Sequence, residues 1–169
     1  MVLYISPRAR GGVDVWMQNV YRAMQQAQVA SRLQLLPHLY NFAPFLLPLA
    51  LRGDWAGSAR VVHSGSRAGF FLRARGRPLV VTVHHLVADP VLRPHTRWTQ
   101  RLFHRLERLY DGLSIAHADA VACVSDYTRQ QVAAHYRRND AAVVYNGIDT
   151  MMFRPPARRP AAPPWRLLF

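Results

Sequence analysis

Short runs of β-branched and aliphatic residues alternate along this chain with longer stretches in which apolar residues recur every three or four positions. The short runs fall at residues 2–6, 33–36, 61–63, 78–83, 120–124 and 141–145. Each has the length of a strand. Leu79-Val80-Val81-Thr82-Val83 is the clearest, and its nearly unbroken apolar character predicts burial on both faces, as in a parallel sheet. Between the runs, residues 13–28 carry Val13, Trp16, Val20, Tyr21 and Met24 on one side of a helix. Residues 95–118 carry Trp98, Leu102, Leu106, Leu109 and Leu113 at helical spacing and predict a long helix. Ser125 or Asp126 caps a third helix over residues 127–136. A short helix is also expected over residues 66–75. The proline-broken apolar stretch at residues 37–54 reads as irregular, with room for one short helical turn.

Strands that alternate with helices need crossover connections, so the fold expected is α/β with a single doubly wound parallel sheet. The composition changes at Pro155. Residues 155–164 are rich in proline and arginine and read as a semi-rigid linker. Residues 165–169 (Trp-Arg-Leu-Leu-Phe) begin another apolar strand. The expected organisation is one domain over residues 1–154, a linker over 155–164, and the truncated start of a second domain at 165–169.

Composition narrows the function. Half of the 169 residues are apolar and 11% are aromatic, which argues against global disorder. A lone cysteine, Cys123, excludes an internal disulfide; it sits in an apolar run and reads as a buried thiol, compatible with a reducing compartment. The net charge is +13, and all 22 basic residues are arginine. Such a charge attracts phosphates, acidic glycans, anionic lipid or nucleic acid. Nucleic acid is disfavoured, because no recognisable nucleic-acid motif is present and arginine is spread along the whole chain. No apolar run approaches the roughly 20 residues of a membrane span, and the first residues lack the basic start of a signal peptide.

Candidate chemistry lies where strands end. Gly11-Gly12 joins the first strand to the first helix, where absent Cβ atoms and free helix-start amides suit an anion; plain turn chemistry is the commoner role of such a pair. His84 and His63 each fall at or just beyond the end of a strand, where an open sheet faces its ligand. Capping the sheet by hydrogen bonds is the competing role of both. Ser125 reads as a helix cap or a ligand contact, and Asn146-Gly147-Ile148-Asp149 as a turn or a crevice edge. No Gly-x-Ser-x-Gly elbow, Walker loop or dinucleotide fingerprint occurs, and no histidine or cysteine spacing suits a metal. Glu107, the only glutamate, reads as a surface ion-pair partner of Arg101, Arg105 and Arg108. Those arginines, together with Arg93 and Arg97, run beside Trp98, Leu102 and Leu109 as an amphipathic basic helix, a candidate contact with anionic lipid.

In order along the chain, these junctions resemble those of family-4 glycosyltransferases. Gly11-Gly12 resembles the family's glycine loop, and Thr82-Val83-His84 its strand-end histidine motif. Ala118-Asp119 followed by a strand ending in Val124-Ser125 resembles a further segment. Val144-Tyr145-Asn146-Gly147-Ile148-Asp149 with Phe153-Arg154-Pro155 resembles the most specific one. The resemblance implies a Rossmann-like domain forming the N-terminal, acceptor-side half of a GT-B fold, with residues 37–54 somewhat reduced. It implies a retaining transferase that uses a nucleoside diphosphate sugar as donor, a glycan or lipid-linked acceptor, and no essential metal or other cofactor. It assigns His84 to catalysis, Gly11, Gly12, Asn146 and Gly147 to donor phosphate and sugar, and His63, Ser125 and Asp149 to the acceptor. The donor's main site would belong to the second domain, so the isolated chain is expected to be inactive. The location implied is cytoplasmic, with peripheral contact to the inner membrane face. The competing class is a non-enzymatic glycan-binding module.

Overall fold

A computed structural model describes residues 1–87, 97–150 and 153–154. Six strands form one parallel sheet: β1 (Val2–Pro7), β2 (Ser31–Leu36), β3 (Val61–Gly65), β4 (Leu79–Val83), β5 (Ala120–Cys123) and β6 (Ala142–Val143). Their order is β2-β1-β3-β4-β5-β6. The chain therefore steps from β1 outward to β2 and then returns to β1's other side for β3. This reversal separates the ends of β1 and β3 and opens a crevice there.

Four helices are described: α1 (Gly12–Gln26), α2 (Leu47–Ala50), α3 (Trp98–His117) and α4 (Asp126–Tyr136). The strands form where the sequence predicts them, within one or two residues at each end; β3 runs on to Gly65, so His63 lies inside it and not at its end, and the last strand is the shortest. There, only Ala142 and Val143 pair, because β6 is an edge strand with β5 as its single neighbour. Val144 and Tyr145 beyond it are exposed. Residues 37–54 form two 3₁₀ turns and α2, as expected of a proline-broken stretch. The helix expected over 66–75 is a single 3₁₀ turn at Gly69–Leu72. Close packing limits it. A Cβ on Gly69 would stand 2.8 Å from the Val81 Cγ2 atom, and the Phe70 amide is held by the Ser114 hydroxyl at 2.8 Å.

Leu3, Ile5, Val62, Val81, Val83, Ile115 and Cys123 are fully buried, and each large aliphatic side chain contributes about 1.5–3 kcal/mol. The Cys123 thiol is inert packing, its pKa pushed up by burial. Pleating fixes what faces what. Tyr4 lies opposite His63 and His63 opposite Val80, so Tyr4, His63, Thr82 and His84 share the face covered by α1. Val62, Val81 and Val83 point to the other face.

Helix α3 corrects the sequence reading most sharply. Trp98, Leu102, Leu106 and Leu109 are exposed, whereas Glu107, Tyr110, Asp111, Ser114 and Ile115 are buried. The inward face is a mixed one whose polar groups have partners, and aliphatic periodicity alone selects the opposite, leucine-rich side. Residues 88–96, with Arg93 and the expected start of α3 at His95, the linker at 155–164 and the strand at 165–169 lie outside the described residues.

Candidate active site

The crevice at the sheet's point of reversal holds a cavity of about 120 Å³. Its walls come from five elements. Ser6, Pro7, Ala9 and Val13 bring in the end of β1 and the start of α1. Gly65, Ser66 and Arg67 follow β3, Thr82, His84 and His85 follow or end β4, and Asp111 reaches in from α3.

His84 stands just past β4, with its ring edge-on to Trp16 at 4.5 Å between centroids. Its Nε2 is buried and has no hydrogen-bond partner among the described residues. A buried polar atom left unpaired costs about 1–3 kcal/mol, so such an atom in a cavity wall is poised for a ligand. Burial lowers the His84 pKa, with His85 adding to the effect; the ring is neutral and can donate or accept one hydrogen bond.

His63 is different. Its Nε2 is 2.7 Å from the Thr82 hydroxyl, and its ring lies between Tyr4 (5.0 Å) and Trp16 (6.1 Å). Burial, reinforced by His84, pushes its pKa down to about 4. His63 is thus a neutral ring packed beneath the crevice floor, supporting Trp16 and, through it, His84.

Gly11 caps α1 and Gly12 opens it. They lie between the lining residues Ala9 and Val13 and form the rim, with open space where Cβ atoms would stand. The Asp14 carboxylate accepts hydrogen bonds from the Ala9 and Arg10 amides, both at 2.8 Å. This stiffens a loop in which Arg10 takes a left-handed conformation, φ 57°. Of the first-turn amides of the helix beyond it, that of Asp14 is held by the Gly11 carbonyl at 3.1 Å; helix-start amides before it have no carbonyl one turn back. An open groove flanks the loop's far side, where Arg8, Arg10 and His38 stand.

The remaining expected contacts lie apart from the cavity. Ser125 caps α4, its hydroxyl accepting from the Thr128 amide at 3.1 Å. Asn146, Gly147 and Asp149 are exposed beyond the edge strand β6, with β4 and β5 between them and β3. Asp119 of the Ala-Asp segment ties strands together, accepting from the Leu79 amide at 2.7 Å.

Sequence reasoning missed the carboxylates. Glu107 is not a surface residue. It is buried and pairs with Arg67, with His104 3.8 Å from its second oxygen. Asp111, one turn on, is hydrogen bonded to Ser66. Burial pushes its pKa up to about 7 against the opposing pull of Ser66 and Arg67, with Glu107 adding to the rise. The available signal was the i, i+4 spacing of Glu107 and Asp111, opposite the leucine stripe. Among the described residues, no three histidine, cysteine, aspartate or glutamate side chains gather as a metal site, and no helix is long and apolar enough to cross a membrane.

A doubly wound parallel sheet, a glycine loop at the first helix and an unpaired histidine in the crevice define a Rossmann-like ligand-binding domain. Residues 12–151 match the family model for Glycosyltransferase Family 4. The chain belongs to that family, and its domain is a glycosyltransferase domain. No curated protein matches the sequence.

Proposed function

We propose that this domain is the acceptor-side half of a two-domain, retaining glycosyltransferase that moves a sugar from a nucleoside diphosphate to a glycan or lipid-linked acceptor. The observation that carries the reading is the buried, unpartnered His84 Nε2 in the crevice wall, within a chain of this family. In the proposed reaction, His84 hydrogen-bonds the transferred sugar beside its reacting carbon. The helix-start amides at Gly11 and Gly12, with Arg8 and Arg10 nearby, meet the donor phosphates. The bond from the sugar to the diphosphate breaks as the acceptor oxygen bonds to that carbon, and the acceptor's proton leaves with the phosphate. Fixed dipoles and guanidinium groups aimed at the departing charge supply most of the acceleration.

The second domain is proposed to follow Pro155. The exposed Tyr145, Ile148 and Phe153 beyond β6 support this, because they form an apolar surface suited to cover by a further segment. Incubation with a panel of nucleoside diphosphate sugars is expected to release nucleoside diphosphate when the reading frame continues into that domain. Little or no release is expected from the 169-residue chain. Rapid turnover by the short chain would remove the two-domain requirement. Silence of the longer protein toward every donor would remove the transferase reading. The anomeric proton coupling of the product tests retention.

Peripheral attachment to an anionic membrane is a second proposal, supported by the exposed Trp98, Leu102, Leu106 and Leu109 beside Arg105 and Arg108 on α3. Both carboxylates of this helix point inward, so the outer face is apolar and cationic. The protein is expected to sediment with phosphatidylglycerol-containing vesicles at low salt, and Trp98→Ser with Leu102→Ser to abolish it. Binding unchanged in that double variant would sink the proposal.

A further inference from the structure

The cavity wall opposite His84 carries a charge pattern unlike the rest of the molecule. In a chain of net charge +13, Arg67 is the single arginine lining this cavity among the described residues, and its guanidinium is already paired with the buried Glu107. Asp111 adds a second carboxylate, 5% exposed, in contact with the Ser66 hydroxyl and lining the same space. An acidic or phosphorylated group here would face the Asp111 carboxylate, while the Arg67 guanidinium is already paired with Glu107. The groove with Arg8 and Arg10, which Asp14 also lines, shares no lining residue with this cavity.

Size points the same way. One water occupies about 10–15 Å³ of such a cavity, so about 120 Å³ takes about ten non-hydrogen atoms, close to one sugar ring. The polar atoms offered to it are the Asp111 carboxylate and the hydroxyls of Ser66 and Thr82, with the His84 Nε2 kept for the transferred sugar alongside. These match hydroxyl groups, which both donate and accept.

We propose that this cavity seats an uncharged, hydroxyl-bearing ring of the acceptor, with Asp111, oriented by Ser66, taking a hydrogen bond from one of its hydroxyls. The proposal rests on the glycosyltransferase reading and names the acceptor class for that site. Asp111 is faced by Ser66, Arg67 and Glu107 on the cavity side and by Tyr136 from α4. Arg67 is committed to Glu107, which leaves Asp111 as the carboxylate available to a ligand.

The test is saturation-transfer NMR on the full chain with methyl α-glucoside, methyl α-mannoside, glucuronate, glucosamine and inorganic phosphate as probes. The neutral glycosides are expected to receive saturation and to lose it at least about tenfold in Asp111→Asn, because a hydrogen bond to a charged group is worth about 1.5–3 kcal/mol. Circular dichroism is expected to report that this variant is folded, and Ser66→Ala to give an intermediate loss. Preference for glucuronate, phosphate or glucosamine, unchanged binding by Asp111→Asn, or no binding of any neutral glycoside would each overturn the proposal. The transferase reading fails separately. Neutral glycosides bound through Asp111 without turnover of any donor by the longer protein would leave the subsite standing. Transfer at the wild-type rate in Asp111→Asn would remove the subsite and leave the enzyme.

Discussion

Replacing His84 with alanine is expected to lower kcat/KM for glycosyl transfer by about 100- to 1,000-fold in the catalytically complete protein, the usual loss when one preorganised hydrogen-bonding group is removed from a transition state. The effect should fall mainly on kcat, since the proposed bond forms beside the reacting carbon and strengthens as charge develops there. Stability should change far less. The ring gives up one edge contact with Trp16, worth about 0.5–1.5 kcal/mol, and the truncation also removes an unpaired buried nitrogen. His63 provides the contrast. Its nitrogen is already bound to Thr82, so His63→Ala should lower the melting temperature and disturb the crevice only through Trp16. Steady-state kinetics on both variants, with thermal melts alongside, separate the two histidines. Wild-type kcat/KM in His84→Ala would sink the catalytic assignment.

The two histidines also mark how far the sequence could be read. His84 was legible as a residue at a strand end, because apolar runs locate strands and a parallel sheet puts its ligands at the carboxyl ends, whereas His63 lies inside β3, which runs on to Gly65. Their different roles were not legible. Those depend on Thr82 lying on the same pleat face as His63 and on Trp16 crossing above both rings, relations set by register and helix placement. The same limit explains α3. Helical periodicity located the helix but left Glu107 on the surface among the arginines, whereas it is buried. A buried carboxylate is readable only once its partner is known, and Arg67 lies 40 residues before Glu107 in the chain. Asn146 and Gly147 show the reverse. Their motif was the most specific sign of the family, yet the strand order puts them at the sheet's edge, away from the cavity.

Asp111→Asn is expected to stabilise the domain above neutral pH and to change the way stability depends on pH. Burial raises the Asp111 pKa from its ordinary 3.8 to about 7. Between those values the unfolded chain releases the proton and the folded chain keeps it, so stability contributed by this group is complete below pH 4 and lost as pH rises through 7. The full difference corresponds to about 4 kcal/mol, an upper figure since relaxation around the carboxylate reduces it. His63 acts in the opposite sense. Its pKa is lowered from 6.5 to about 4, so the unfolded chain takes up a proton first on acidification, and stability falls from about pH 6.5 down to about 4. In the wild type the two slopes oppose each other over that interval. Asparagine removes one of them, since it is neutral in both states and can keep a hydrogen bond to Ser66. Urea unfolding at intervals from pH 4 to 8.5 should give matching curves for variant and wild type at the acid end and a gap that widens to at least about 1–2 kcal/mol above pH 7. A variant less stable at pH 8, or one whose curve runs parallel to the wild type throughout, would refute the buried-carboxylate account. A gap of the expected sign means that the fold retains at Asp111 a charge that weakens it, as binding residues commonly do.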